Sequence, residues 1–318
     1  MAAFMTVFRK EIEDHFNSWR FIFAFLIVFL PSIYYVWRAT GTIREVVTGF
    51  SHFAFLPLFT TPISETTMSL LPTSFLDLIA MLLPVVGIAL GLDAINSERN
   101  NGTLSRLISQ PIYRDSVINA KFFAGVITIA ILMVSVVLLI VGMGIYIIGI
   151  PPTAEEAWRI LFFLVIAIIY GAFWLGLSML FSILFRSVAT SALVSIAVWL
   201  FFAVLFPLIQ QLLAGTMTGD TQAAAIKNIQ TLILISRTSP IQLFNESMVM
   251  ILAPGARTIS QILQLMTGNA GNFLLNTPLS LGQSLLSVWP QIMITVLLTV
   301  ICFAISYIKF MREEIRST

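Results

Sequence analysis

Long apolar runs, almost free of charge and separated by polar stretches, dominate the chain from residue 21 onward. A helix needs about 20 mostly apolar residues to cross the hydrocarbon of a bilayer. Six runs qualify: 21–37, 75–92, 117–148, 160–185, 188–213 and 289–310. Each predicts a transmembrane helix, because a chain in lipid must satisfy its backbone N–H and C=O groups internally. Pro31 predicts a break or tilt in the first run, and Pro84 lies inside the second. The pattern changes over residues 1–20. There Phe4, Phe8, Ile12, Phe16 and Trp19 share one helical face, with Lys10, Glu11, Glu13, Asp14 and Asn17 elsewhere. That spacing predicts an amphipathic helix lying on the membrane surface before the first span. The expected fold is all-α: a polytopic membrane protein with six transmembrane helices and an N-terminal interfacial helix, forming one domain over 1–318.

The polar stretches set the orientation. Eleven of the seventeen Lys and Arg fall in 1–20, in 93–116, at Arg186, after the last span, or, as Lys121 and Lys309, at the adjoining ends of spans. Six fall in 38–74, at Arg159 and in 214–288, which together are far longer. This asymmetry predicts that both termini are cytosolic in a cytoplasmic membrane, with 38–74 and 214–288 extracytoplasmic. Trp19, Trp37, Trp158, Trp289 and Tyr307 sit at span ends, as an interfacial aromatic belt requires. Thr, Ser and Pro in 38–74 predict irregular structure. Segment 214–288 alternates apolar patches (231–235 and 248–252) with turn signals at Ser239-Pro240, Ala253-Pro254-Gly255 and 268–271. It predicts short helices that rest on the outer face or dip into it. Residues 258–308 carry no charge and are long enough for a re-entrant pair or a seventh crossing; the cytosolic character of the C-terminus favours an even count.

Composition narrows the function classes. The 318 residues are 58% hydrophobic and 10% charged, against about 25% charged in soluble domains. A net charge of +2 with no basic block argues against a nucleic-acid partner. The one cysteine, Cys302, excludes a disulfide framework within the chain. His15 and His52 read as interfacial polar residues rather than ligands. Residues 1–20 do not resemble a cleavable signal peptide, so 21–37 is read as both insertion signal and anchor. No G-x-x-x-x-G-K-[ST] loop, H-E-x-x-H helix or G-x-S-x-G elbow is present. Gly142-Met-Gly144 lies in an apolar span and follows no strand. Only Asp77 and Asp93 approach the spans, both near their ends, which argues against an ion-coupled carrier. Small-residue pairs, Gly87 with Gly91 and Ala172 with Gly176, allow close helix packing.

The stretch 93–116 is the densest polar segment on the predicted cytosolic side. Asn96 or Ser97 would cap a short helix, and Glu98 lies near its positive end. Leu104, Leu107 and Ile108 would fall on one face suited to an apolar cleft. Arg99 and Arg106 would pair with a partner's carboxylates, and Pro111 would stop the helix. Residue spacing alone allows equally a solvated connector.

Asp93, Glu98-Arg99, Gly102-Thr103-Leu104, Pro111, Arg114 and Lys121 resemble the signature after the second span of type-2 ABC permeases. The likeness is to the subgroup with copper-enzyme-maturation and antibiotic or multidrug export permeases. It extends to the N-terminal helix, the six spans, the Ser239-Pro240 and Ala253-Pro254-Gly255 breaks and the ending Tyr307-Ile-Lys-Phe-Met-Arg-Glu-Glu. Tyr113 departs from the small hydroxyl residue frequent there. The resemblance implies an ABC exporter-like permease acting as two copies with two ATPase subunits. The ATPase would dock on 93–116 through Asp93, Glu98, Arg99, Gly102, Thr103, Leu104, Arg106, Leu107, Pro111, Arg114 and Lys121. The partner would bind ATP and Mg; this chain would hold no cofactor, metal or catalytic residue. The outcome would be export or extraction of a substrate from the bilayer, or force on an extracytoplasmic partner. Two other classes remain open from the residues: a membrane scaffold acting through 214–288, and a carrier or membrane enzyme using Asp77 or Asp93.

Overall fold

A charge ends an apolar run but does not end a helix, so the helices exceed the apolar runs that predict them. The computed structural model describes residues 2–47, 53, 55–60, 72–100, 102, 113–149, 151–216, 222–253 and 279–312. Every element of secondary structure among them is helical. In chain order these are α1 (Ala2–Phe16), α2 (Trp19–Val47), the short α3 (Pro57–Thr60), α4 (Phe75–Gly91) and α5 (Asn96–Asn100). Next come α6 (Arg114–Ile148), α7 (Ala154–Leu184) and α8 (Val188–Leu200). A π-helical segment, Phe201–Leu205, joins α8 to α9 (Phe206–Thr216). The chain continues as α10 (Gln222–Ser236), α11 (Pro240–Leu252) and α12 (Leu281–Arg312).

Six helical stretches are long and apolar enough to cross a membrane: Trp19–Ala39, Phe75–Asn100, Arg114–Ile148, Ala154–Leu184, Val188–Thr216 and Leu281–Arg312. They coincide with the six predicted spans. The expected break at Pro31 is absent, and α2 continues through it. Lipid offers no replacement partners for freed backbone groups, so an intact helix is the cheaper solution. In the fifth span the chain instead widens into the π-turn just before Pro207, where Phe206 N–H donates to Phe201 O. That relieves the clash a proline ring makes with the preceding turn.

The core is built on α4 and α7. In the most apolar window of Phe75–Asn100, 67% of residues are buried, against 6% for Val188–Thr216. The two core helices run parallel and very close. A Cβ on Gly87 would lie 2.9 Å from Gly171 O, and one on Gly91 would lie 2.8 Å from Leu175 O. Tyr170 Oη donates to Ala80 O (2.9 Å) and Ser178 Oγ to Ile88 O (3.1 Å), which fixes the register. Parallel to them, α12 lies on the other side of α7, and α6 packs antiparallel.

α1 lies at one end of the bundle, against α6. The packed face carries Val7 and Glu11, both buried, while Met5 stays exposed. At the opposite end α11 enters between α4, α7 and α12. Phe244 stacks on Tyr170 at 4.3 Å between centroids, and Ile251 reaches Arg159. α11 therefore runs antiparallel to α7, and its first residues lie deepest. About 24 Å of helix separates Ala154 from Tyr170, so the turn between α10 and α11, braced by Arg237 on Glu246 (2.6 Å), lies at about that depth along the bundle.

The first turn of α7 organises that end. Thr153 and Glu156 form a reciprocal capping box, and the fully buried Glu156 also accepts from Phe55 N–H at 2.7 Å. The Arg159 guanidinium is buried and donates to Ile251 O (2.7 Å), Leu279 O (2.7 Å), Ser284 Oγ (3.3 Å) and Glu155 Oε1 (2.8 Å). One side chain thus bridges the residues on either side of 252–278. Ile251 and Leu279 therefore lie side by side at the same end of the bundle.

Candidate functional site: a buried charge cluster under the polar loop

The end of α4 is held by serines on α7. Below Ser178, Ser182 Oγ accepts from Ile95 N–H (3.2 Å) and Asn96 N–H (3.3 Å). These are orphan donors at the start of α5, and a hydroxyl one turn along α7 satisfies them. Ser97 Oγ donates back to Asp93 O at 2.8 Å. The first residues of the polar loop are therefore fastened to the core helix and continue its end as a rigid corner.

Three ionic contacts gather around that corner. Lys121, on the second turn of α6, is buried and donates to Glu11 Oε1 of α1 at 2.7 Å. The same ammonium lies 2.9 Å from Glu98 Oε1 of α5. All three side chains are at most 11% exposed. Asp93, between α4 and α5, pairs with Arg20 at the start of α2. A buried charge is tolerated only when paired and hydrogen-bonded, so the Lys121 contacts lock α1, α5 and α6 to one another, while the half-exposed Arg20–Asp93 pair tethers α2 beside them. Beside them lies a cavity of about 350 Å³, with one wall of charged groups and one of apolar side chains from α4 and α7, such as Leu90 and Met179.

Of the residues singled out from sequence, the structure brings together Asp93, Glu98 and Lys121. Arg99 ends α5 and Arg114 opens α6, both half-buried. Gly102 has φ +66°, a left-handed conformation that favours glycine. Thr103, Leu104, Arg106, Leu107 and Pro111 lie outside the described residues, as does most of the helix expected there. Sequence reasoning missed Glu11, Arg20 and Ser182. It had placed Glu11 on the polar face of α1, whereas Val7, Glu11 and His15 form the four-residue stripe turned toward α6. The available signal was Lys121 itself, since a lysine between Ala120 and Phe122 in an apolar helix requires a carboxylate. No group of three or more His, Cys, Asp or Glu suited to a metal ion occurs among the described residues.

The corner is joined to α7 through Ser182, to α1 and α6 through Lys121, and to α2 through Asp93. A comparison with curated proteins finds no match. The model of a family described as ABC-2 family transporter protein matches residues 5–315. With six candidate spans in place and nearly the whole length matched, the chain belongs to the ABC-2 family of transporter proteins and is a multi-pass membrane protein.

Proposed function

We propose that the chain is the permease subunit of an ATP-binding-cassette transporter, driven by ATP hydrolysis in a separate subunit that binds ATP and Mg. Family membership supports the permease role, and the lack of a phosphate-binding loop supports a separate ATPase. The observation that carries the coupling role is the fastened corner at Asp93–Glu98, where α1, α2, α6 and α7 share one attachment with α4. A rigid corner transmits force; a solvated connector would absorb it. The ATPase docks on 93–116, with Leu104 and Leu107 filling an apolar cleft and Arg99 and Arg106 facing its carboxylates. The Lys and Arg distribution puts this end, and both termini, in the cytosol of a cytoplasmic membrane. α1 then lies at the bilayer surface, docked on α6 and with its apolar flank toward lipid.

Two copies assemble with two ATPases. The fifth span, Val188–Thr216, supports this because it is scarcely buried within one chain. The end of the bundle that α11 enters faces the extracytoplasmic side, where a substrate leaves the bilayer or a partner protein receives force. The test is co-purification from gently solubilised native membranes. The native chain brings down a P-loop ATPase in equal amount, and Leu104→Asp with Leu107→Asp loses it. Undiminished assembly in the double variant refutes docking through this loop.

A further inference from the structure

His15 lines the cavity beside the charge cluster and takes no part in the coupling described above. It lies one helical turn after Glu11, on the stripe of α1 that faces α6. The groups around it come from every neighbouring element. α1 contributes Lys10, Glu11 and Asp14, and α2 contributes Arg20. Asp93 stands between α4 and α5, Glu98 on α5, and Lys121 on α6. Three cations therefore face four carboxylates. A cavity of about 350 Å³ also has room for several waters, so protons have a path to the ring.

We propose that His15 is a proton-operated release for α1: its imidazolium draws the Glu11 carboxylate away from Lys121 and loosens α1 from α6 and α5. With neutral imidazole, Glu11 has Lys121 as its only charged partner at hydrogen-bond distance, and the triad closes. With imidazolium, Glu11 gains a second cation one turn along its own helix, which competes with Lys121 for the same carboxylate. Burial, the largest influence, holds His15 below its ordinary range, aided by Lys121 and opposed by Glu11, Asp93 and Asp14. The sign follows. In the docked state His15 resists protonation more than in the undocked state, whose value is the ordinary 6.5. Docking is at full strength above that value and is lost as pH falls through the docked value. A single proton changes the docked-to-undocked ratio by up to about tenfold per pH unit in that window.

The readout needs no ATPase, so its failure leaves the permease reading intact. The full chain, with Cys302→Ala, is reconstituted in lipid discs with spin labels at Met5→Cys and Phe123→Cys. Both positions are exposed, one on α1 and one on α6. Distances are measured by double electron–electron resonance at pH 8.0, 6.5 and 5.5. The expected result is a longer-distance population that grows as pH falls and is lost in His15→Gln; His15→Asn replaces it if that variant does not assemble. A distance distribution independent of pH, or one that responds equally without the imidazole, overturns the proposal.

Discussion

Replacing Lys121 with Met removes the one cation that Glu11 and Glu98 share. The methionine keeps the volume of the stem, so no cavity opens at the site. Two carboxylates then face each other in a site where their side chains are only 10% and 11% exposed. Breaking a buried ion pair by removing one partner costs about 3–5 kcal/mol. At about 2 °C or more per kcal/mol, the melting temperature falls by roughly 6 °C or more. Glu11→Gln leaves Lys121 paired with Glu98 and loses one charge-assisted hydrogen bond, for about 1.5–3 kcal/mol. The assay is heating of the purified chain followed by size-exclusion chromatography. A third variant separates stability from coupling. Glu11→Leu, Glu98→Leu and Lys121→Met together exchange the ion triad for apolar side chains, a change that is neutral or stabilising by about 1–4 kcal/mol in other cores. It restores the melting temperature, while stimulation of the partner ATPase stays low because the directional attachment is gone. A Lys121→Met chain that melts within about 1 °C of the native one refutes the reasoning.

Other changes test the remaining contacts. Gly87→Ala sets a methyl 2.9 Å from Gly171 O and 3.0 Å from Leu175 N, both backbone atoms, so α4 and α7 must separate; a loss of about 1–3 kcal/mol is expected in the same thermal assay. Arg159→Met strips five hydrogen bonds from the start of α7 and leaves Ile251 O and Leu279 O without their donor. It lowers stability by about 3–5 kcal/mol, and faster cleavage between residues 254 and 278 by added protease checks that the change is local to that end.

The six spans were legible because lipid imposes a single requirement, length of apolar helix, that a sequence displays directly. Their ends were not, since Arg38 stops an apolar run without stopping α2. Asp93, Glu98 and Lys121 stood out through a resemblance, but their partners did not: Glu11 is 110 residues from Lys121, and Arg20 is 73 from Asp93. Such pairings belong to tertiary packing, and a helical wheel drawn for α1 alone assigns Glu11 to water. Ser182 was hidden for another reason. A serine in an apolar helix commonly bonds its own backbone one turn back, and nothing local marks one that instead receives the N–H groups of another helix. Arg159 was counted as a loop charge that reports orientation. The Thr153-x-x-Glu156 pattern beside it was a readable capping box, and would have put Arg159 inside the first turns of α7.

The bridge from Arg159 to Ile251 and Leu279 has an evolutionary consequence. Because one guanidinium closes the base, the length of the intervening stretch is decoupled from the placement of α11 and α12. Closure entropy rises slowly with length, so doubling such a loop costs only about 0.6 kcal/mol. Relatives are thus free to lengthen, shorten or exchange this stretch while the bundle beneath keeps its geometry. Variation in this stretch can accumulate at one clasped port without disturbing the packing at the other end of the bundle.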